Sequence, residues 1–425
     1  MKLEDHKLLA ETGAGTAMGN FLRRYWMPAL LGRELAAGGA PVRVRLLGED
    51  LIAFRDTEGK VGLLGEHCAH RGASLFFGKN ADCKLRCWYH GWQYDLDGNC
   101  VDQPNEPPQT QFKAQVKQKA YPCIERNGVV WTYLGPEDKR PALPELEWLT
   151  VPDSHVYVSK RLQRCHWTQG MEGDLDSAHL SILHNDLLRQ RAANPRNRSA
   201  VWAMRELQPE IKTEAMPNGL LMAAKRAAET DTNYWRINQW FLPFFTNWPI
   251  PGDNPQAGHA WIPIDDARCW VFTFSWHPAR ALRTDELAQM RAGSDIHAPV
   301  DPATFEPLHN ASNDYAGANA PRPHQPWMGV TALQAQDLAM TESMGALYDR
   351  TQENLGASDL VVAQARHRLI AAARDLARGT EPPGLDAKSY RLRPLAMELP
   401  RDVTRWRDAV AERMEARPET FRVSV

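Results

Sequence analysis

Two short runs of metal-binding residue types stand out first. Cys68-Ala69-His70 is followed, 16 residues on, by Cys87-Trp88-Tyr89-His90, so each run offers one soft thiolate and one imidazole. Two such loops between hairpins can close around a metal centre, whereas a disulfide or ordinary core residues would have no use for the histidines. The donor set suits a tetrahedral Cys2His2 zinc site. It equally suits a [2Fe–2S] cluster with both thiolates on one iron and both imidazoles on the other. Cys83, Cys100, Cys123, Cys165 and Cys269 have no comparable partners and read as small buried residues.

A second constellation, D-x-x-H-x4-H, spans Asp176, His179 and His184. Two histidines and one carboxylate on one face of Fe(II) leave positions open for oxygen and substrate. Asp176 and His179 share a face of a helix. His179 and His184 are five apart, about 140° around an ideal helix, so the segment has to break between them if both bind one metal. Taken alone, these residues fit helix caps and two core histidines as well as they fit a metal site. A third ligand has to come from elsewhere. Over residues 331–348, Leu333, Asp337, Met340, Met344 and Leu347/Tyr348 recur at helical spacing, which sets Asp337 inside an apolar stripe. Glu342 and Asp349 fall on the opposite face as solvated charges. A carboxylate within an apolar stripe needs a cationic partner or a metal.

The elements that position these residues divide into parts. Residues 5–36 read as helical with a turn at Gly13–Gly19, and the N-terminal helical segment is placed at 1–36. From Val42 the period becomes two, with a hairpin turning at Gly48-Glu49-Asp50, and strand-like runs continue to Leu134. Residues 135–148, rich in proline and charge, mark a boundary between domains at 37–150 and 151–425. In the latter, Val156–Ser159, Leu220–Ala224, Trp235–Phe245, Ala260–Ile264 and Cys269–Trp276 read as strands of an antiparallel sheet. An aperiodic stretch at 293–328 follows, long enough to be a lid or an interface wrap. Helices are expected at about Thr331–Tyr348 and Leu360–Arg378, the latter stopped by Gly379. The fold class is α+β. Gly13-Ala14-Gly15-Thr16-Ala17-Met18-Gly19 mimics a dinucleotide loop but lacks the preceding strand, so a turn accounts for it.

The 425 residues are 43% hydrophobic and 24% charged, a globular composition. Fifty Lys+Arg against 52 Asp+Glu leave a net charge of −2, which predicts no nucleic-acid groove and no polybasic membrane patch. No apolar run is long enough to span a bilayer. The opening residues carry charges where a secretion signal needs an apolar stretch, and seven cysteines without framework spacing suit a reducing compartment. A soluble, cytoplasmic protein is expected.

Cys68-Ala69-His70-Arg71-Gly72 and Cys87-Trp88-Tyr89-His90-Gly91-Trp92 resemble the Rieske motifs C-x-H-R-G and C-x2-H-G-W, and Tyr94-Asp95-x-Asp97-Gly98 fits the same pattern. Gly72 and Gly91 would let backbone amides approach the sulfides, with Trp92 and Tyr94 shielding and hydrogen-bonding the cluster. The D-x-x-H-x4-H segment resembles the mononuclear iron motif of Rieske non-haem iron oxygenases, and Asp337 matches the position of that family's carboxylate ligand. The family often has Asn where His166 stands. Glu342-Ser343, Asp349-Arg350, Glu353-Asn354-Leu355-Gly356 and the start Gly15–Trp26 are similar to the phthalate dioxygenase branch.

The resemblance implies an all-β Rieske domain followed by a catalytic, helix-grip-like domain. It implies a [2Fe–2S] cluster on Cys68, His70, Cys87 and His90, and Fe(II) on His179, His184 and Asp337. Asp176 would be the catalytic carboxylate bridging His179 to His90 of the partner subunit, in a homotrimer or a hexamer of stacked trimers. Electrons would come from a separate NAD(P)H-dependent reductase of the flavin or ferredoxin type. The substrate would be an aromatic carboxylate, such as a phthalate or substituted benzoate, cis-dihydroxylated with O2, with O-demethylation as the alternative. Ser177 resembles a substrate-contacting serine. Arg205 and Arg236, read from the sequence as lying on strands, fit either a carboxylate fork or, equally, exposed arginines on the outer sheet face. From other classes, a zinc-stabilised binding protein or a Rieske electron carrier remains, and labile sulfide separates the first of these cheaply.

Overall fold

Two units make up the chain, Thr12–Pro141 on the one hand and Met1–Glu11 with Ala142–Val425 on the other. The computed structural model describes residues 1–107, 109–194, 198–317 and 329–416. Helix α1 (Leu3–Ala10) belongs to the larger unit. The smaller begins with α2 (Ala17–Leu22), capped by the Thr16 hydroxyl, which accepts from the Gly19 N–H at 3.0 Å.

The helical pattern expected to reach residue 36 stops at α2, because Met27–Leu31 is a strand, β1. Its residues are all buried, a pattern that does not distinguish strand from helix, and pairing with a distant strand decides. That partner is β11 (Val129–Thr132), flanked on its other side by β10 (Cys123–Arg126). A second sheet runs β2 (Val42–Leu46), β3 (Glu49–Arg55), β4 (Val61–Gly65), β9 (Ala120–Tyr121). The β2–β3 turn is Leu47-Gly48, one step earlier than expected, with φ of 48° and 77°. The third sheet is β5 (Lys79–Ala81), β6 (Lys84–Arg86), β7 (Gln93–Tyr94), β8 (Cys100–Asp102). One Cys-His loop joins β4 to β5 and the other joins β6 to β7. Beneath them Ile52, Phe54, Leu64, Leu75, Leu85, Trp92 and Tyr94 form a core with both cysteines.

The larger unit rests on an eight-stranded antiparallel sheet. Its strands are β12 (Val156–Gln163), β13 (Glu210–Met216), β14 (Gly219–Ala227), β15 (Thr232–Phe241), β16 (Phe245–Trp248), β17 (Gln256–Asp265), β18 (Arg268–Trp276) and β19 (Leu395–Pro400). The order is β12-β18-β17-β16-β15-β14-β13, with β19 pairing the first half of β15. The run Trp235–Phe245 is two strands, since Leu242-Pro243-Phe244 turns the chain and Pro243 has no N–H for a ladder. Helices α3 (Glu147–Thr150), α4 (Trp167–Leu175), α5 (His179–Ile182), α6 (Asn185–Ala192) and α7 (Arg198–Arg205) come before β13. After β18 come α8 (Thr284–Arg291), α9 (Leu333–Ser343), α10 (Leu360–Ala377) and α11 (Trp406–Met414).

Alternation gives this sheet two unlike faces. Trp235, Ile237, Phe272, Phe274 and Trp276 are buried on one. Arg161, Arg236, Asn238, His259, Trp261 and Ser275 stand on the other and line a cleft of about 2010 Å³. The aperiodic stretch covers the free edge of β12, where Leu162 N–H donates to the Phe305 carbonyl at 2.8 Å. Residues 318–328 of that stretch lie outside the described residues.

His166 caps α4. Its Nδ1 accepts from Thr168 N–H at 3.4 Å while Nε2 donates to the Ala10 carbonyl at 3.2 Å, tying the chain's first residues to this unit. His297, equally buried, sits between Ser159 Oγ at 2.7 Å and Ser275 Oγ at 3.0 Å. Burial pushes its pKa down to about 3, with the His259 and Arg161 charges acting the same way. A depressed histidine leaves stability intact above its unfolded pKa of about 6.5, and stability falls as the pH drops from there towards the folded value. Between pH 7 and 5.5 this residue is expected to cost about 1 kcal/mol. The measurement is urea unfolding of wild type and His297→Gln at both pH values, with the variant losing less. An equal loss in both would show that His297 is not the source.

Candidate functional site

The two Cys-His loops have one backbone design. In each, a glycine with positive φ donates its N–H to the carbonyl of the cysteine four residues before it: Gly72 (φ 77°) to Cys68 at 2.9 Å, Gly91 (φ 81°) to Cys87 at 3.0 Å. Each cysteine N–H is then taken by a carbonyl just past the glycine, Ala73 at 2.9 Å and Trp92 at 2.8 Å. The glycine amides are thus engaged within their loops, closing the turn around each cysteine. Gln118 clamps the first loop, accepting from Ala69 N–H at 2.7 Å and donating to the Gly65 and His67 carbonyls.

The donors sort into two ends. Cys68 and Cys87 are both buried, while the half-buried His70 and His90 rings stand 4.6 Å apart. The neighbouring Cys87 thiol, with help from Tyr94, holds the Cys68 thiol below its ordinary pKa despite burial. The Tyr94 hydroxyl lies 3.1 Å from Cys68 Sγ. Trp92 stacks on His70 at 4.2 Å, but its indole N–H donates to Asn105 rather than to the centre. Trp88 and Tyr89 are 72% and 60% exposed. Of the remaining cysteines, Cys100, Cys165 and Cys269 are buried as expected, and Cys83 and Cys123 only partly.

In the larger unit the chain breaks where the histidine spacing requires it. Helix α4 ends at Leu175, and Asp176 leaves the helix (φ −87°, ψ 119°) with its carboxylate accepting from Ala178 N–H at 2.6 Å and His179 N–H at 3.2 Å. Asp176 is therefore a cap, not a member of the helical face expected for it. One turn, α5, follows, and His184 (φ −96°, ψ 21°) breaks the path again before α6. Both imidazoles now meet Asp337 from α9: His184 Nε2 lies 3.0 Å and His179 Nε2 3.8 Å from Asp337 Oδ1. The outer nitrogens have acceptors of their own, Asp176 Oδ2 at 3.4 Å from His179 Nδ1 and Gln336 Oε1 at 2.7 Å from His184 Nδ1.

Helix α9 is oriented differently from the expected core helix. Ala335, Leu338 and Ala339 are its buried apolar side, whereas Leu333, Asp337, Met340 and Met344 line the cleft. The apolar stripe is a cavity wall. Glu342 is not a solvated charge, since it accepts from Arg164 N–H at 2.7 Å and from the Tyr315 hydroxyl at 2.9 Å. Of the three residues expected at the substrate, Arg236 lines the cleft. Arg205 ends α7 rather than lying on a strand, is exposed, and donates to the Ala228 carbonyl at 3.3 Å. Ser177 is buried away from the cleft lining, its carbonyl accepting from Arg226 at 3.2 Å. Arg161 and Arg226, both lining the cleft, escaped sequence reasoning; each follows a lysine at the polar end of its strand, and no pattern singled either out.

Residues 25–120 match the Rieske [2Fe-2S] domain, and residues 132–419 match the family described as LigXa C-terminal domain like. The chain is 35% identical to the 3-chlorobenzoate-3,4-dioxygenase oxygenase subunit of Comamonas testosteroni, covering 97% of this chain and 98% of that one. It is 33% identical to the phthalate 4,5-dioxygenase oxygenase subunit of Pseudomonas putida, over 95% and 94%. The chain belongs to the Rieske non-haem iron oxygenases. Dicamba monooxygenase bound to 3,6-dichlorosalicylic acid shares the fold, with a TM-score of 0.60 at 17% identity, covering 85% of this chain and 100% of that one.

A Rieske oxygenase subunit is an oxidoreductase that carries a [2Fe–2S] cluster and a mononuclear iron, and a separate reductase supplies its electrons. Both sets of residues fit those groups. Two buried thiols at one end and two imidazoles at the other are what a cluster with mixed ligation requires. At the second site, donor atoms of His179, His184 and Asp337 all lie within 4.8 Å of one another. His184 Nδ1 is taken by Gln336 Oε1, and its Nε2 faces the Asp337 carboxylate, the nitrogen and oxygen donors a divalent cation would use. Burial lowers the His179 pKa, but Asp176 and Asp337 outweigh it and raise it overall, the same field that attracts a divalent metal. No helix of the described residues is long and apolar enough to cross a membrane.

Replacing Tyr94 by Phe is expected to keep cluster content but lower its reduction potential, since a hydrogen bond to a ligand sulfur favours the more negative reduced state. Potentiometric titration of both proteins checks this, and an unchanged midpoint would remove Tyr94 from the cluster's tuning. Asp337→Ala is expected to lose the mononuclear iron while iron and sulfide of the cluster stay, read by metal and labile-sulfide analysis. Full iron retention would point to another carboxylate.

Proposed function

We propose that this oxygenase subunit hydroxylates an aromatic carboxylate. One observation carries the reading: Arg161, Arg226 and Arg236 line the cleft that holds His179, His184 and Asp337, and among the described residues none of the three has a carboxylate partner. Other arginines of the cleft do pair, Arg191 with Asp295, Arg198 with Glu229, Arg283 with Glu286 and Arg366 with Glu172. Arg226 is 1% exposed, and burial plus the charge of Arg236 bring its pKa down to about 10. Buried cations without counter-ions are unfavourable until an anion arrives. The relatives named for 3-chlorobenzoate and phthalate support the same class.

The cluster and the iron, when bound, supply single electrons and open coordination positions for dioxygen. This chain's residues do the rest. Arg226 and Arg236 share one face of neighbouring strands and hold the carboxylate, while Leu333, Met340 and Met344 give the ring an apolar wall. Asp176 orients the His179 ring and reaches His90 of the partner subunit in a homotrimer or a stacked pair of trimers. The exposed Trp88 and Tyr89 beside the cluster ligands support such a covered surface. The reductase partner is of the NAD(P)H-dependent flavin or ferredoxin type, and the free cysteines are consistent with the cytoplasm.

Arg236→Gln is expected to raise KM for an aromatic carboxylate roughly ten- to a hundredfold, with kcat less affected and the neutral amide analogue unchanged. Unchanged KM for the carboxylate would remove the clamp. Product analysis of the same turnover distinguishes cis-dihydroxylation from O-demethylation. Asp176→Asn is expected to keep both metals and nearly abolish turnover, and retained turnover would end its bridging role.

A further inference from the structure

Helix α9 sends two consecutive side chains to His184, and the ligand set uses one of them. Asp337 faces Nε2; Gln336 faces Nδ1 at 2.7 Å. Gln336 is 4% exposed, and its amide nitrogen is already committed, donating to the Val330 carbonyl at 2.7 Å. That second bond fixes which amide atom meets the ring, because a backbone carbonyl accepts only from the NH2 end. Oε1 therefore accepts the Nδ1 proton of His184, and Nε2 is the nitrogen turned towards Asp337. His179 is held in another way, its Nδ1 facing the half-buried carboxylate of Asp176 at 3.4 Å. The two histidines thus have unlike supports, a charge for one and a neutral amide for the other.

We propose that Gln336 is the positioning residue of His184: its carbonyl fixes the tautomer and the plane of the ring so that Nε2 is free to bind metal. The inference rests on His179, His184 and Asp337 being the iron ligands. Without an acceptor at Nδ1, the proton can move to Nε2 or the ring can turn, and either removes the lone pair from the site. The bond to Val330 is the anchor that keeps the amide from flipping, so a structural role and a tautomer role predict different outcomes for substitutions that remove one bond or both.

The experiment uses the full chain with its cluster in place, depleted of mononuclear metal and dialysed anaerobically against graded Fe(II). Labile sulfide accounts for cluster iron, and the remainder is the mononuclear site. Gln336→Met, which loses both bonds, is expected to weaken Fe(II) binding about ten- to a hundredfold with sulfide content and the Rieske spectrum unchanged. Gln336→Glu keeps the acceptor for Nδ1 and loses the donor to Val330, and is expected to bind Fe(II) as tightly as wild type or tighter. If Gln336→Glu is as weak as Gln336→Met, the residue is only an anchor and the proposal is overturned. Wild-type affinity in Gln336→Met overturns it too. Asp337→Ala in the same dialysis separates the two levels. Iron loss there with Gln336→Met unaffected removes the role of Gln336 alone, whereas iron kept by Asp337→Ala removes the ligand set beneath it.

Discussion

His184 Nε2 and a carboxylate oxygen of Asp337 face each other at 3.0 Å, while the ring's Nδ1 is held by Gln336. Ligands about 2.1 Å from a metal and at right angles to one another are separated by about 3 Å, so the spacing fits a metal held between the two. Much of the larger unit serves this contact. Asp176 ends α4 and starts α5, His184 ends α5 and starts α6, and α9 supplies both acceptor and counter-ligand across the gap.

The supports reach well beyond the ligands. Glu172, one turn before Asp176 on α4, takes Arg366 of α10 in a two-pronged bond at 2.8 and 2.7 Å, and Glu353 takes the same guanidinium. Asp174, on the same helix, accepts from Thr246, His259 and Trp261 of the sheet. Helix α4 is thus fixed to both layers just before it delivers Asp176. Burying so many charges is worthwhile only if position matters, since apolar residues of like size would stabilise the fold at least as well. On its sheet side the cleft carries Arg161, Arg226 and Arg236, which among the described residues have no carboxylate partner.

The Cys-His loops were legible from residue types and spacing, because two equal loops with glycines at the same offset leave little freedom. The need for a break between His179 and His184 was legible too, from helical geometry. What spacing did not carry was tertiary. The apolar stripe through Asp337 was read as a core face, but it lines a cleft, so Asp337 is half-exposed beside His179 and His184. Arg205 was placed on an expected strand and Ser177 by resemblance; helix α7 and the Arg226 contact take both away from the cleft. Arg226 and Arg161 escaped because the strand readings stopped at Ala224 and Ser159, short of both. β1 was read as helix since five buried residues in a row have no period.

The measurement that bears most directly on this account is metal and labile-sulfide analysis of anaerobically purified protein, with EPR of the dithionite-reduced sample. About three irons and two sulfides per chain, with a Rieske signal of low average g, are predicted. One zinc per chain without sulfide, or two irons that no added Fe(II) raises to three, would contradict it.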